Sequence, residues 1–163
     1  MAGCFLIAGG SILTRASRPA VEERSTAAEA SGPAADGPDW RALLNQLGRQ
    51  RSSIWQRSRP AELGRVFAPG SSVLRRDRQS LLAYAARGVR VDGATVVFGP
   101  VESAITAQRS VTLVVVDRLE EVVASVERAG SRSLPRDEPT RHEVVLRQTT
   151  AGWRISAIRA VGR

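Results

Sequence analysis

The sequence has no lysine, one cysteine and one histidine, and each scarcity excludes a class of site. A single cysteine, Cys4, cannot form an intramolecular disulfide. With His142 as its only histidine, the chain cannot assemble an ordinary zinc site from cysteine and histidine, so we expect neither metal nor cofactor. The sequence motifs of P-loops, dinucleotide-binding turns and catalytic triads are also absent.

Aromatic residues make up only 4% of the chain, whereas all 24 basic residues are arginines. The net charge of +8 favours acidic partners such as anionic lipid or nucleic acid. Because aromatic platforms for stacking single-stranded bases are scarce, nucleic acid is the least favoured of these partners. With 42% hydrophobic residues in a chain of 163, the composition allows one domain and a tail.

Residues 1–13 are an apolar segment that is shorter than the roughly 20 residues of a membrane-spanning helix. We interpret them as a partial transmembrane or signal-like segment; the alternative is an apolar tail on a cytoplasmic protein. Residues 14–38 are rich in alanine, serine, proline and charge, which predicts a flexible linker. The expected protein is therefore membrane-associated, with an extracytoplasmic domain formed by residues 39–163.

The domain begins with helical patterns. Apolar residues spaced three and four apart after Asp39, a good N-cap, predict a long helix. The segment "RPAELGRVF" predicts a short second helix with Pro60 at its first position. A third helix is predicted over "SVLRRDRQSLLAYAARG", ending at Gly88.

After Gly88 the period of the apolar residues falls to two, which predicts β-strands. Five strands are expected, including one in "EEVVASVERAG", and the first is interrupted at Gly99-Pro100. The segment "SRSLPRDEPT" is expected to be a charged loop before a final hairpin. Three helices followed by strands predict an α+β domain, with the helices on one face of a curved antiparallel sheet.

Two segments carry a resemblance to a known group. "RALLNQLGRQRSSIWQRSRPAELGRVFAPGSSVL" resembles the opening of the nuclear transport factor 2-like superfamily, and "TTAGWRISAI" is similar to its usual last hairpin. The resemblance covers roughly residues 40–160 and implies a cone-shaped, cystatin-like fold. In organisation the chain is also similar to actinobacterial membrane-anchored envelope proteins. The superfamily includes ketosteroid isomerases, polyketide cyclases and many non-enzymatic binding domains, so the fold does not fix the function.

These features favour a non-enzymatic, membrane-tethered binding or scaffold domain of the bacterial cell envelope. Its expected partners are an envelope protein or a second copy of the chain, since members of the superfamily often dimerise through the exposed face of the sheet. The alternative is a small-molecule-binding domain, or an isomerase- or cyclase-like enzyme that uses the cone pocket. For such an enzyme, Asp117 is the candidate base and Tyr84 the candidate hydrogen-bond donor.

Asp117 also has a structural interpretation. Strand alternation places it on the same face as Val111, Leu113 and Val115, so it should lie on the helix-facing side near the end of a strand. We expect an ion pair at the rim with Arg118 or another arginine. His142 begins a later strand without an obvious orienting partner and is expected at the surface or at an edge.

Three residues are candidates for binding. Trp55 is expected either in the core or at the mouth of a pocket. Arg75 and Arg78 flank Asp77 on the third helix. They are expected to form either a solvated helix face or a patch for a phosphate or lipid headgroup.

Overall fold

The computed structural model describes residues 38–120, 122–126, 130–134 and 136–161. The described residues belong to a compact unit spanning Pro38–Arg163. The expectations for residues 1–37, which include the apolar segment, Cys4 and most of the linker, lie outside the described residues. None of the helices that the structure describes combines the length and the apolar character needed to cross a membrane.

Three helical segments come first, as predicted. Helix α1 (Trp40–Gln56) is followed by a 3₁₀ segment (Pro60–Arg65) and helix α2 (Ser72–Ala86). Asp39 caps α1, because its side chain accepts a hydrogen bond from the Ala42 amide at 2.9 Å. The Ser71 side chain caps α2 in the same way, by accepting from the Leu74 amide. The first residues of α1 and α2 therefore follow local capping chemistry.

In the described part of the chain, seven antiparallel strands follow the helices: β1 (Val89–Asp92), β2 (Val96–Ala107), β3 (Ser110–Leu119), β4 (Val122–Val126), β5 (Gly130–Leu134), β6 (Thr140–Thr149) and β7 (Gly152–Ala160). They form a four-stranded sheet in the order β2-β3-β6-β7 and a three-stranded sheet in the order β1-β4-β5. The α+β class and the helix-on-sheet packing are confirmed.

The number of strands differs from the prediction for two physical reasons. Gly93, at a φ of +75°, separates β1 from β2, and the two strands then join different sheets. Strand β5 lies where a charged loop was expected, since "GSRSL" is polar and shows no alternation of apolar residues. At Gly99-Pro100 strand β2 is not broken, but its register to β3 shifts between Phe98 and Val101.

The core lies between the helices and one face of the four-stranded sheet. That face carries Val111, Leu113 and Val115 of β3 and Val144 and Leu146 of β6, none of which has any measurable exposure. Gly48 lets α1 approach β2 closely, because a Cβ atom at this position would lie 2.8 Å from the carbonyl oxygen of Val96.

Candidate functional site

The inner row of the four-stranded sheet ends in a polar pair formed by Asp117 of β3 and His142 of β6. The His142 Nδ1 atom lies 2.8 Å from Asp117 Oδ2. Their side chains are only 6% and 12% exposed, respectively. In the sheet register, His142 lies opposite Val115, and Asp117 lies between Phe98 of β2 and Thr140 of β6. The pair therefore lies at the margin of the core.

Sequence reasoning placed Asp117 on the right face but gave it the wrong partner. Arg118 cannot reach it easily, because adjacent residues of a strand point to opposite faces. The expected surface position of His142 is also wrong, since this residue is 5% exposed. The alternation of His142, Val144 and Leu146 with charged Arg141 and Glu143 was the signal that could have placed the imidazole inside.

The chemistry available to the pair follows from the orientation of the imidazole. An Asp117 carboxylate that accepts the proton of Nδ1–H holds the ring and leaves Nε2 as the atom able to accept a proton. Among the described residues, Asp117 is the hydrogen-bond partner of His142. This is the arrangement of an oriented general base, yet the enclosure of both side chains restricts access to it.

Tyr84 lies in a different cluster from Asp117. Its ring makes an edge-on contact with Trp55, with ring centroids 5.7 Å apart, and the Arg87 guanidinium lies 5.1 Å from its centroid. The polar partner of Asp117 is His142. The acid–base role of Asp117 and Tyr84 that the isomerase alternative requires stays a prediction.

Trp55 belongs to the core, where it has no exposed surface. Its Nε1–H donates to Asp77 Oδ2 at 3.0 Å, and Arg51 Nε donates to both oxygens of the same carboxylate at 3.0 and 3.1 Å. The Arg51 guanidinium also lies over the Trp55 ring, 5.0 Å from its centroid. We call Arg51, Trp55 and Asp77 the interhelical cluster, because they join α1 to α2.

The arginines beside Asp77 do not join this cluster in the described contacts. Arg75 is exposed and donates to the carbonyl oxygen of Gly70 at 2.8 Å, while Arg78 is exposed on the same helix. Their exposure is compatible with both alternatives, a solvated helix face and a patch for a phosphate or lipid headgroup, so these stay predictions. The sequence pattern therefore identified the flanking arginines but not the distant one that pairs with Asp77.

A second arginine cluster surrounds Glu62 in the 3₁₀ segment. A hydrogen bond from Arg59, supported by the charges of Arg65 and Arg57, lowers the pKa of Glu62 below its usual value of 4.5. A lowered folded-state pKa contributes stability above the unfolded-state pKa, and this contribution is lost as the pH falls through the folded-state pKa. Solvent screening keeps the contribution small.

The opposite face of the four-stranded sheet, which we call the outer face, carries a different pattern. Val114, Val116 and Val145 lie there, each half-buried, among longer charged side chains. Two ion pairs lie on the same face: Arg141 of β6 reaches across β3 to Glu102 of β2 at 2.7 Å, and Arg159 of β7 contacts Glu143 of β6 at 3.0 Å. The outer face thus combines half-buried valines with charged pairs.

A cavity of about 360 Å³ lies beside the β1–β2 connection and the end of β3. Its lining residues are Gly93, Thr95, Arg118, Leu119, Glu120 and Arg136. None of the candidate residues Asp117, His142 and Tyr84 lines it. Within the part of the chain that the structure describes, no group of three or more histidine, cysteine or acidic side chains is placed to hold a metal ion.

Comparison with solved structures finds proteins that are similar in fold. The intermembrane space region of chloroplast protein ARC6 is similar, with a TM-score of 0.61 and 12% identity over 80% of this chain and 100% of that one. A nuclear transport factor 2-like superfamily protein from Salmonella enterica has a TM-score of 0.47 and 9% identity, over 75% of this chain and 89% of that one. An NTF2-like protein with a cystatin-like fold from Novosphingobium aromaticivorans has a TM-score of 0.42 and 13% identity, over 72% of this chain and 78% of that one.

The order seen here, with helices before antiparallel strands, is the one implied by the sequence resemblance to the nuclear transport factor 2-like superfamily. At these identities the likeness concerns the fold alone. No protein-family model matches the sequence, and comparison with curated proteins gives no match.

Proposed function

We propose that the chain is a non-enzymatic binding or scaffold domain of a bacterial cell envelope, tethered to the membrane by residues 1–13. The observation that supports this proposal best is the contrast between the two faces of the four-stranded sheet. The inner face carries buried side chains, and the polar pair of Asp117 and His142 at its end is nearly enclosed. The outer face instead offers Val114, Val116 and Val145 to an apolar surface of a protein partner.

The charged pairs beside the valines suit such an interface. A binding surface combines an apolar centre with a polar rim that excludes water. Arg141–Glu102 and Arg159–Glu143 supply charged groups next to the valines. The proposed partner is therefore an envelope protein that presents an apolar surface of its own.

The tether is tested by flotation with neutral phosphatidylcholine vesicles in high salt, where the arginine charge contributes little to binding. The full chain is expected to float with the vesicles. A chain that begins at residue 14 is expected to remain in the soluble fraction, because the apolar segment has been removed. Flotation of both chains, or of neither, would contradict the tether.

A second candidate function, a small-molecule enzyme, is favoured by the orientation of His142 by Asp117. The two functions differ in the access of reagents to Nε2. An enzyme needs this atom to be reachable from a pocket, whereas a scaffold domain does not. The chain suits a chemical test, because His142 is its only histidine and lysines are absent.

Diethylpyrocarbonate is therefore expected to modify His142 in the native full chain at least about tenfold more slowly than in the unfolded chain. The reason is that local opening costing about 1.4 kcal/mol already lowers the reactive fraction by that factor. Mass spectrometry of the peptide containing His142 measures the two rates. Equal rates in the native and unfolded chains would favour the enzyme over the scaffold.

A further inference from the structure

The two edges of the four-stranded sheet are treated differently. Edge strand β7 is covered by the chain before α2: the Ala68 amide donates to the Ile155 carbonyl at 2.8 Å, and the Ile155 amide donates to the Val66 carbonyl at 3.0 Å. On edge strand β2, the side chain of Asn45 bonds both backbone groups of Phe98, at 3.0 and 3.2 Å. These contacts close the edges where they occur.

The remainder of β2 has no comparable protection among the described contacts. Residues 103–107, with the sequence "SAITA", carry neither charge nor proline, and all five are exposed. Ile105 is 71% exposed, more than any other large hydrophobic residue that the structure describes. Exposed edge strands are normally blunted by charge, proline or a covering segment. An uncharged edge of this kind is a ready template for another strand.

The register shows which backbone groups face outward. Residues Gln108 and Arg109 form a two-residue turn, and such a turn is flanked by a hydrogen-bonded pair, here Ala107 and Ser110. The Arg109 carbonyl accepts from the Gln148 amide of β6, which agrees with this alternation. Alternate residues of β2 therefore turn away from β3. The N–H and C=O groups of Ala104 and Thr106 lie on the free edge.

We propose that this edge pairs with the same edge of a second copy of the chain, antiparallel and with the two-fold axis at Ile105. In that register Ala104 lies opposite Thr106 of the second copy and Thr106 opposite its Ala104, so the outward groups form four hydrogen bonds. The two Ile105 side chains meet in the intervening close pair. The interface is self-complementary, as a two-fold dimer requires.

The charged side chains along β2 are compatible with a second copy of the chain as the partner. Glu102 lies opposite Gln108 of the second copy, and Arg109 lies opposite its Val101, so no like charges face each other directly. The dimer joins two four-stranded sheets into one continuous sheet of eight strands. This inference goes beyond the proposed function, since it concerns a free edge and is independent of the tether and of the valines of the outer face.

Cysteine cross-linking of the full chain in a Cys4→Ser background tests the register. Ile105→Cys is expected to form a disulfide-linked dimer under mild oxidation, because the paired Cα atoms lie within disulfide range. Ala107→Cys is the matched control on the same strand face. Its two copies are four residues out of register, about 13 Å apart, so it should cross-link about tenfold less. Equal cross-linking of both variants, or none with either, would overturn the proposal.

Thr106→Pro, added to Ile105→Cys, separates edge pairing from other contacts. Proline removes an outward N–H that the β2–β3 ladder does not use, so circular dichroism should show an unchanged fold while the cross-link is lost. Persistent cross-linking in this folded variant would overturn the proposal.

Sedimentation of Ile105→Arg gives an independent readout of the oligomeric state. The two facing arginines repel each other, so this variant should be monomeric whereas the parent chain is a dimer. An unchanged dimer, or a parent chain that is already monomeric, would contradict the proposal.

Discussion

Replacing Asp77 with alanine is expected to lower the free energy of unfolding by about 3 kcal/mol. The carboxylate is 11% exposed and accepts hydrogen bonds from Arg51 and from the Trp55 indole. Its removal takes away the carboxylate to which both the Arg51 guanidinium, only 13% exposed, and the buried Trp55 indole N–H donate hydrogen bonds. Equilibrium denaturation in urea, monitored by circular dichroism, measures the loss.

Two control variants distinguish the loss of the Asp77 contacts from a general effect of substitution in α2. Asp77→Asn keeps a side-chain acceptor and removes the charge, so its loss should be intermediate. Arg78→Ala alters the exposed neighbouring position and should change stability by no more than about 0.5 kcal/mol. A loss for Asp77→Ala as small as that of Arg78→Ala would show that the interhelical cluster does not stabilise the packing of α1 on α2.

The interhelical cluster also shows which parts of the structure local sequence patterns can predict. The cap Asp39 and the periodic helices are local features, and they were predicted. Arg51 and Asp77 are 26 residues apart, and nothing in the helical pattern of either segment selects one partner for the other. The dense arginines of residues 75–78 made Arg75 and Arg78 the candidates from the sequence, whereas the buried contact is made by Asp77, which lies between them.

Local sequence patterns likewise predict some of the strands and not others. Strand β3 was predicted from its apolar run, and alternation placed Asp117 on the inner face. Strand β5 carries one large apolar residue, Leu134, so its pairing with β4 has no local signature. The contact of Asp117 with His142 depends on the β3–β6 register, which sets residues 25 positions apart beside each other. Such a register follows from the packing of the whole sheet.

Substitutions of His142 and Asp117 are expected to have large and strongly non-additive effects on the free energy of unfolding. His142→Leu is expected to cost about 3 kcal/mol, because it leaves the Asp117 carboxylate, 12% exposed, without its partner in an apolar row. Asp117→Val is expected to cost about 1–3 kcal/mol, because the imidazole Nδ1–H then loses its acceptor. Urea denaturation of both variants gives these values.

The double variant is expected to recover most of this loss and to unfold within about 1 kcal/mol of the parent chain, since two apolar side chains continue the rows of Val115 and Val144. Additive losses would show instead that the two residues act independently of their contact. If the recovery occurs, the fold does not require the polar pair for stability. The carboxylate orients the single imidazole of the chain and leaves Nε2 as the atom able to accept a proton. A double variant that is stable but no longer binds a ligand of the parent chain would then assign Nε2 a functional role.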